Sequence, residues 1–176
     1  MFEYNISFTI PVNPPGAQTL LTATELWTGM SRVASTPQEY APYVSRCEVL
    51  SQDGHALERK LTMSSGAVHK DDGEVMYQDV WTADDLLVEA RTKGTGARTI
   101  FLLSYNGSAE VSPQSHDVSF TVIYELKLEG VAAGSEEAGR IQREYPELAR
   151  TACTSTVEQI RERKADGRLT EWGLKQ

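Results

Sequence analysis

Two residues, Arg59 and Asp79, combine chemical reach with a setting that would use it. In the run Leu57–Met63 every second side chain shares one side, so Arg59 falls with Leu57, Leu61 and Met63. In the next run Asp79 falls with Val75, Tyr77 and Trp81. If those faces line one interior, a cation and a carboxylate enter an apolar space from neighbouring strands. Buried charges are costly alone, so the two would pair or meet a polar group of a ligand. In a dry pocket such a pair could polarise a carbonyl or move a proton. The competing reading is that a twist or bulge leaves both at the wet edge.

Other side chains are open to a functional or a structural use. Tyr77, Tyr105 and Tyr124 could orient a ligand through their hydroxyls, or pack in the core with each hydroxyl reaching a partner. Trp27 and Trp81 read first as core, with Trp81 also a candidate for a ligand-facing wall. His116, in register with Val118 and Phe120, is either a pocket acid or base or a half-exposed structural histidine. His55 and His69 lie near turns and carry no assignment. No metal is expected, because the three histidines are separated singletons. Cys47 and Cys153 make neither a CxxC pair nor a disulfide framework, and suit a reducing compartment as buried or half-buried thiols. Lys93–Gly96 lacks the spacing and the following helix of a phosphate-binding loop, so no nucleotide or other cofactor is expected.

The elements that must position these residues follow from periodicity. Phe2, Tyr4, Ile6, Phe8, Ile10 and Val12 alternate with polar residues, which predicts a strand with one buried face. Thr22 followed by Glu25 fits a capping box, so a helix starts near Ala23 with the stripe Leu26, Trp27, Met30 and Val33. Pro37 stops it, and a short helical turn is expected from Tyr40 to Val44. From Arg46 to Leu128, short alternating runs are separated by Asp53–Gly54, Asp71–Gly73, Asp84–Asp85, Lys93–Gly96 and Asn106–Gly107. That is six strands of an antiparallel meander. After Ser135, a helix cap, Ile141, Tyr145, Leu148, Ala152, Thr156 and Ile160 recur at helical spacing over about eight turns. Pro146 should bend this helix, Gly167 ends it, and Leu169, Trp172 and Leu174 form a short apolar tail.

Composition sets outer limits. A chain of 176 residues fits one domain, here residues 1–176, and buries about 70% of its unfolded surface. With 25 acidic against 17 basic residues, scattered rather than clustered, no nucleic-acid partner is expected. Met1–Tyr4 lacks the basic start of a leader, and no run of eighteen apolar residues spans a membrane, so the cytoplasm is the expected compartment.

The order β-α-α-β6-α, an α+β arrangement of a seven-stranded curved antiparallel sheet around a long C-terminal helix, resembles the helix-grip fold. That is the fold of the SRPBCC superfamily, which includes the birch-pollen allergen and START-like domains. The opening strand up to Val12, "LTATELWTGMSRVASTPQEYAPYVSRCEVL" (Leu21–Leu50), the "SFTVIYEL" strand (Ser119–Leu126) and the C-terminal helix look closer to its AtaL-like branch, found in bacteria and fungal metabolite gene clusters. The resemblance covers essentially the whole chain. It implies ligand binding, lipid transfer, or cyclase and hydrolase chemistry, and its fungal association suggests secondary metabolism. A long helix with small members, Ala152 and Thr156, over a curved sheet need not fill the space beneath it. The expected lining of that cavity is Phe8, Leu61, Met63, Tyr77, Trp81 and Phe101, with Tyr105, Phe120, Tyr124, Tyr145 and Ala152. The expected ligand is a small apolar or aromatic molecule, bound by a monomer or homodimer. A polyketide-cyclase-like, dehydratase or isomerase activity using Arg59 and Asp79 is the alternative, and a protein-interaction adaptor the third.

Overall fold

The computed structural model of the chain describes residues 1–66, 68, 70–107 and 110–173. The chain runs β1 (Phe2–Pro11), α1 (Ala23–Ser31), two 3-10 turns (Arg32–Ala34 and Pro37–Glu39), then the meander. Its strands are β2 (Val44–Asp53), β3 (Ala56–Met63), β4 (Val75–Ala83), β5 (Leu87–Thr92), β6 (Arg98–Tyr105) and β7 (Val118–Leu128). Two helices follow, α2 (Glu136–Ala165) and α3 (Arg168–Gly173). One antiparallel sheet has the order β1-β7-β6-β5-β4-β3-β2, so the first strand closes on the last and β1 and β2 form the edges. This is the helix-grip architecture.

Local chemistry explains the boundaries. The Thr22 hydroxyl accepts the Glu25 N–H at 3.2 Å while the Glu25 carboxylate accepts the Thr22 N–H at 2.8 Å, the reciprocal cap that starts α1. The second helical turn lies at Pro37–Glu39 rather than at Tyr40–Val44, because Val44 already pairs with Met63 as the first residue of β2. β2 carries two bulges, between Val44 and Arg46 and between Val49 and Ser51. In α2, Pro146 removes the N–H that would bind the Gln142 carbonyl, and the Tyr4 hydroxyl reaches that carbonyl from β1 at 3.5 Å. The C-terminal tail is helical: Leu169 is buried, and the Trp172 ring lies under the guanidinium of Arg32 at 4.2 Å and near that of Arg163 at 5.5 Å. Leu174 lies outside the described residues.

The long helix packs on β1, β7, α1 and α3. Its buried face contains Ile141, Tyr145, Ala149, Cys153, Val157 and Ile160. Cys153 donates its thiol to the Phe8 carbonyl at 2.9 Å. Near the C-terminal end, Arg161 donates to the carbonyls of Thr19 at 2.9 Å and Val12 at 2.7 Å, tying the loop after β1 to the helix. Among the described residues no helix is long and apolar enough to cross a membrane.

The crossing of α1 and α2 depends on Gly29. A Cβ there would collide with the Ile160 side chain, whose branched carbons fill the space against the α1 backbone. Gly29→Ala is expected to destabilise the protein by about 1–3 kcal/mol, the usual cost of overpacking a core. Denaturant unfolding with an unchanged m-value would show it; a variant as stable as the parent would mean that the crossing relaxes freely.

Candidate functional site

A cavity of about 620 Å³ lies between the concave face of the sheet and α2. Its walls come from β3 and β4 (Arg59, Leu61, Met63, Met76, Gln78), β6 and β7 (Thr99, Phe101, Tyr124, Leu126), the segment before β2 (Tyr40, Tyr43) and the first residue of β2, Val44. Helix α2 closes it with Tyr145, Leu148, Thr151, Ala152, Ser155 and Thr156. The exposed residues Arg143, Glu144 and Glu147, which flank Tyr145 and Leu148 on the helix, line the side open to solvent. The apolar stripe of α2 therefore divides: Ala149, Cys153 and Val157 are buried in the core, whereas Leu148, Ala152 and Thr156 line the hollow.

Arg59 is the charged element of the wall, with only 4% of its surface exposed. Its Nε and Nη2 donate to the Gln78 side-chain oxygen at 2.9 and 2.7 Å, and its Nη1 donates to the carbonyls of Val33 and Ala34, each at 2.6 Å. Gln78 is the directly opposed residue on β4, and its own amide donates to the Thr92 hydroxyl at 3.2 Å. The two carbonyls end the helical segment that starts at Ala23, so the cation sits where the backbone dipoles leave partial negative charge. Burial pulls the guanidinium down to about 10, which keeps it charged at neutral pH.

Three tyrosines add polar groups. The hydroxyls of Tyr43 and Tyr124 lie 3.4 Å apart, and the Tyr124 and Tyr145 rings meet edge to face at 5.5 Å. Tyr43 keeps part of its surface exposed while its hydroxyl is buried. Loss of solvent pushes all three phenols upward, Tyr124 and Tyr145 well above their ordinary value, so they are neutral hydrogen-bonding groups. Tyr40, whose hydroxyl donates to the Gly29 carbonyl at 2.9 Å, is pushed up to about 12 by burial.

Of the residues expected in the wall, Arg59, Leu61, Met63, Phe101, Tyr124, Tyr145 and Ala152 are there. Asp79 is not. It lies on the opposite face of the sheet, 63% exposed in its side chain, with its carboxylate 3.1 Å from the Lys93 ammonium, which also holds Glu58 at 2.8 Å. Tyr77 and Trp81 share that outer face and are 45% and 50% exposed. The correction has a simple cause. The register pairs Arg59 with Gln78 and Leu61 with Met76, so β4 turns Met76, Gln78 and Val80 inward and its more apolar set outward. Phe8, Tyr105 and Phe120 are also outside the wall. Phe8 is half-buried with the Arg150 guanidinium over its ring at 4.9 Å, and the Tyr105 hydroxyl donates to the Ser112 carbonyl at 3.3 Å. Phe120 is fully buried and stacks behind Phe101 at 6.1 Å. His116 is exposed, and His69 lies outside the described residues. Gln78 and Tyr43 were not foreseen: a glutamine in a strand and a tyrosine before one carry no periodic signal. Among the described residues no group of three or more His, Cys, Asp or Glu side chains could hold a metal ion.

A curved antiparallel sheet holding a C-terminal helix above a hollow defines a helix-grip protein, and solved structures of that fold are similar to this one. The Zhui aromatase/cyclase from Streptomyces sp. R1128 superposes with a TM-score of 0.61 over 92% of this chain and 96% of that one, at 11% identity. The di-domain aromatase/cyclase StfQ from the steffimycin pathway gives 0.63 over 93% of this chain and 52% of that one, at 8% identity. At such identities the likeness is one of fold. The sequence is more specific: residues 6–167 match the family described as AtaL, acetylaranotin biosynthesis cluster protein L. The acetylaranotin biosynthesis cluster protein L of Aspergillus terreus (strain NIH 2624 / FGSC A1156) is 36% identical over 172 residues, 97% of this chain and 96% of that protein. The chain belongs to the AtaL family.

The buried phenols give a pH signature. Their folded-state values lie above the unfolded one near 10, so the stability gained by burying them neutral is complete below about pH 10 and is lost as pH rises further. Absorbance at 295 nm should show tyrosine ionisation continuing well above pH 10 and finishing together with unfolding. Complete ionisation near pH 10 with the near-ultraviolet circular dichroism intact would contradict the placement of these rings.

Proposed function

We propose that this protein encloses a small apolar or aromatic metabolite between its sheet and α2, as a binding protein of secondary metabolism. The observation that carries the reading is the hollow itself: about 620 Å³, lined by Leu61, Met63, Met76, Phe101, Leu126 and Leu148, with a few polar groups set among them. Pockets of this size, mostly apolar and fixed by a small number of hydrogen-bonding side chains, suit molecules of a few fused or linked rings. The pathway context is supported by the relative from the acetylaranotin cluster, and the choice of an aromatic ligand by the aromatase/cyclases of the same fold.

A catalytic role is favoured by one arrangement: the Tyr43–Tyr124 hydroxyl pair in the same wall as Arg59, whose positive charge acts on Tyr43. A ligand carbonyl placed there would meet neutral proton donors and a nearby cation in a site of low dielectric, which favours enolisation, cyclisation or loss of water. Asp79 has no part in this version. Mass spectrometry of the ligand recovered after long incubation separates the two roles, since a carrier returns it unchanged.

Ala152 offers a direct test of the site. Its side chain faces the hollow from α2 at the border of the core, so Ala152→Phe puts its ring into that space. Titration with N-phenyl-1-naphthylamine, a neutral dye that fluoresces in apolar surroundings, should show saturable binding to the parent and at least tenfold weaker binding to Ala152→Phe. Undiminished affinity in a folded variant would place the dye elsewhere and overturn the proposal.

A further inference from the structure

We infer that the enclosed ligand is an anion, an apolar or aromatic body carrying one ionised oxygen acid (a carboxylate, or an acidic phenol or enol) that docks on Arg59. The inference rests on the binding reading above and adds the charge of the ligand to it.

The first support is the charge left over at Arg59. No carboxylate among the described residues pairs with it. Glu58 and Asp79, beside it in sequence or across the strands, are on the other face and are held by Lys93. The other cations of the wall differ: Lys70 is paired with Glu74 and Arg98 with Glu125, and Arg143 is exposed. The carbonyls of Val33 and Ala34 end a helical segment and supply about half a negative charge. About half a unit of positive charge therefore remains uncancelled on a buried group in a largely apolar wall, where it acts more strongly than at the surface.

The second support is hydrogen-bonding capacity. A guanidinium has five N–H donors. Four bonds are made, to Gln78 twice and to the two carbonyls, and Nη2 keeps one N–H with no protein acceptor among the described residues. Gln78 is itself neutral, and its oxygen is used by Arg59. The group is thus fixed in orientation by neutral acceptors and has one donor left. A charged acceptor forms a shorter and about twofold stronger bond with such a donor than a neutral carbonyl does. Desolvating an arginine without a carboxylate carries a cost that an entering anion would offset.

A matched pair of dyes separates charge from shape. N-phenyl-1-naphthylamine is neutral, and 8-anilinonaphthalene-1-sulfonate is the same ring system with one added sulfonate. The parent protein should bind the anion at least tenfold more tightly than the neutral dye. In Arg59→Met the anion should weaken at least tenfold while the neutral dye stays within threefold, and Arg59→Lys should keep part of the preference. Equal affinities in the parent would sink the inference while leaving the binding reading intact; no binding of either dye would remove both. A preference for the anion that persists in folded Arg59→Met would also overturn it. If Arg59→Met does not fold, having left the Val33 and Ala34 carbonyls without a donor, Ala152→Phe decides. Loss of both dyes there, with the preference seen in the parent, supports the assignment, and retention of the sulfonate alone places it on the surface and refutes it.

Discussion

A helix cannot cover a seven-stranded sheet, and most of what is distinctive here follows from that mismatch of widths. With side chains a helix is about 10–12 Å across, whereas seven strands at about 4.8 Å spacing extend to roughly 30 Å. Helix α2 accordingly packs chiefly on β1 and β7 among the strands, and α1 with the 3-10 turn after it reaches β4, β5 and β6 at one end. The rest of the concave face is bordered by the segment before β2 and by Val68 and Lys70, which leave it open. Curvature brings β3 and β4 towards α2, and residues of both strands and of the helix line the hollow between them. Of the side chains that face it from α2, Ala152, Ser155 and Thr156 are small and leave space beside Tyr145 and Leu148.

Arg59 holds the far wall of that hollow in place. Its guanidinium joins β3 to β4 through Gln78 and joins both strands to the end of the first helical segment through two backbone carbonyls. The same helical segment carries Arg32, whose guanidinium stacks on Trp172 of α3. The wall is therefore connected to the C-terminal helices by a continuous set of contacts, and the chemistry of the cavity shares residues with its framework. A charged group in this position is stable because every carbonyl it touches would otherwise lack a donor.

Much of the architecture is readable in the sequence because its signals are redundant. The alternation from Phe2 to Val12, the Thr22–Glu25 cap, the turn pairs of the meander and the helical period after Ser135 each agree with the fold. The wall was legible only where one face of a strand is clearly more apolar than the other, as with Leu61 and Met63 on β3. β4 breaks that rule: Val75, Tyr77 and Trp81 face solvent, whereas Gln78 is buried because Arg59 needs its oxygen. Hydrophobicity read along one strand could not reveal this, since the inward choice is set by the residue opposite. Tyr43 escaped for a different reason, lying in an irregular segment whose position depends on Val44 joining β2.

The second edge strand carries a further consequence. β2 ends the sheet with one row of backbone donors and acceptors open, the usual template on which a foreign strand can add. Its two bulges interrupt that row within ten residues. Val49 and Leu50, its exposed apolar side chains, sit at the second interruption. The stickiest stretch of the border is thus the part least able to offer a regular ladder, which guards the open margin of the sheet against runaway stacking of one molecule on the next.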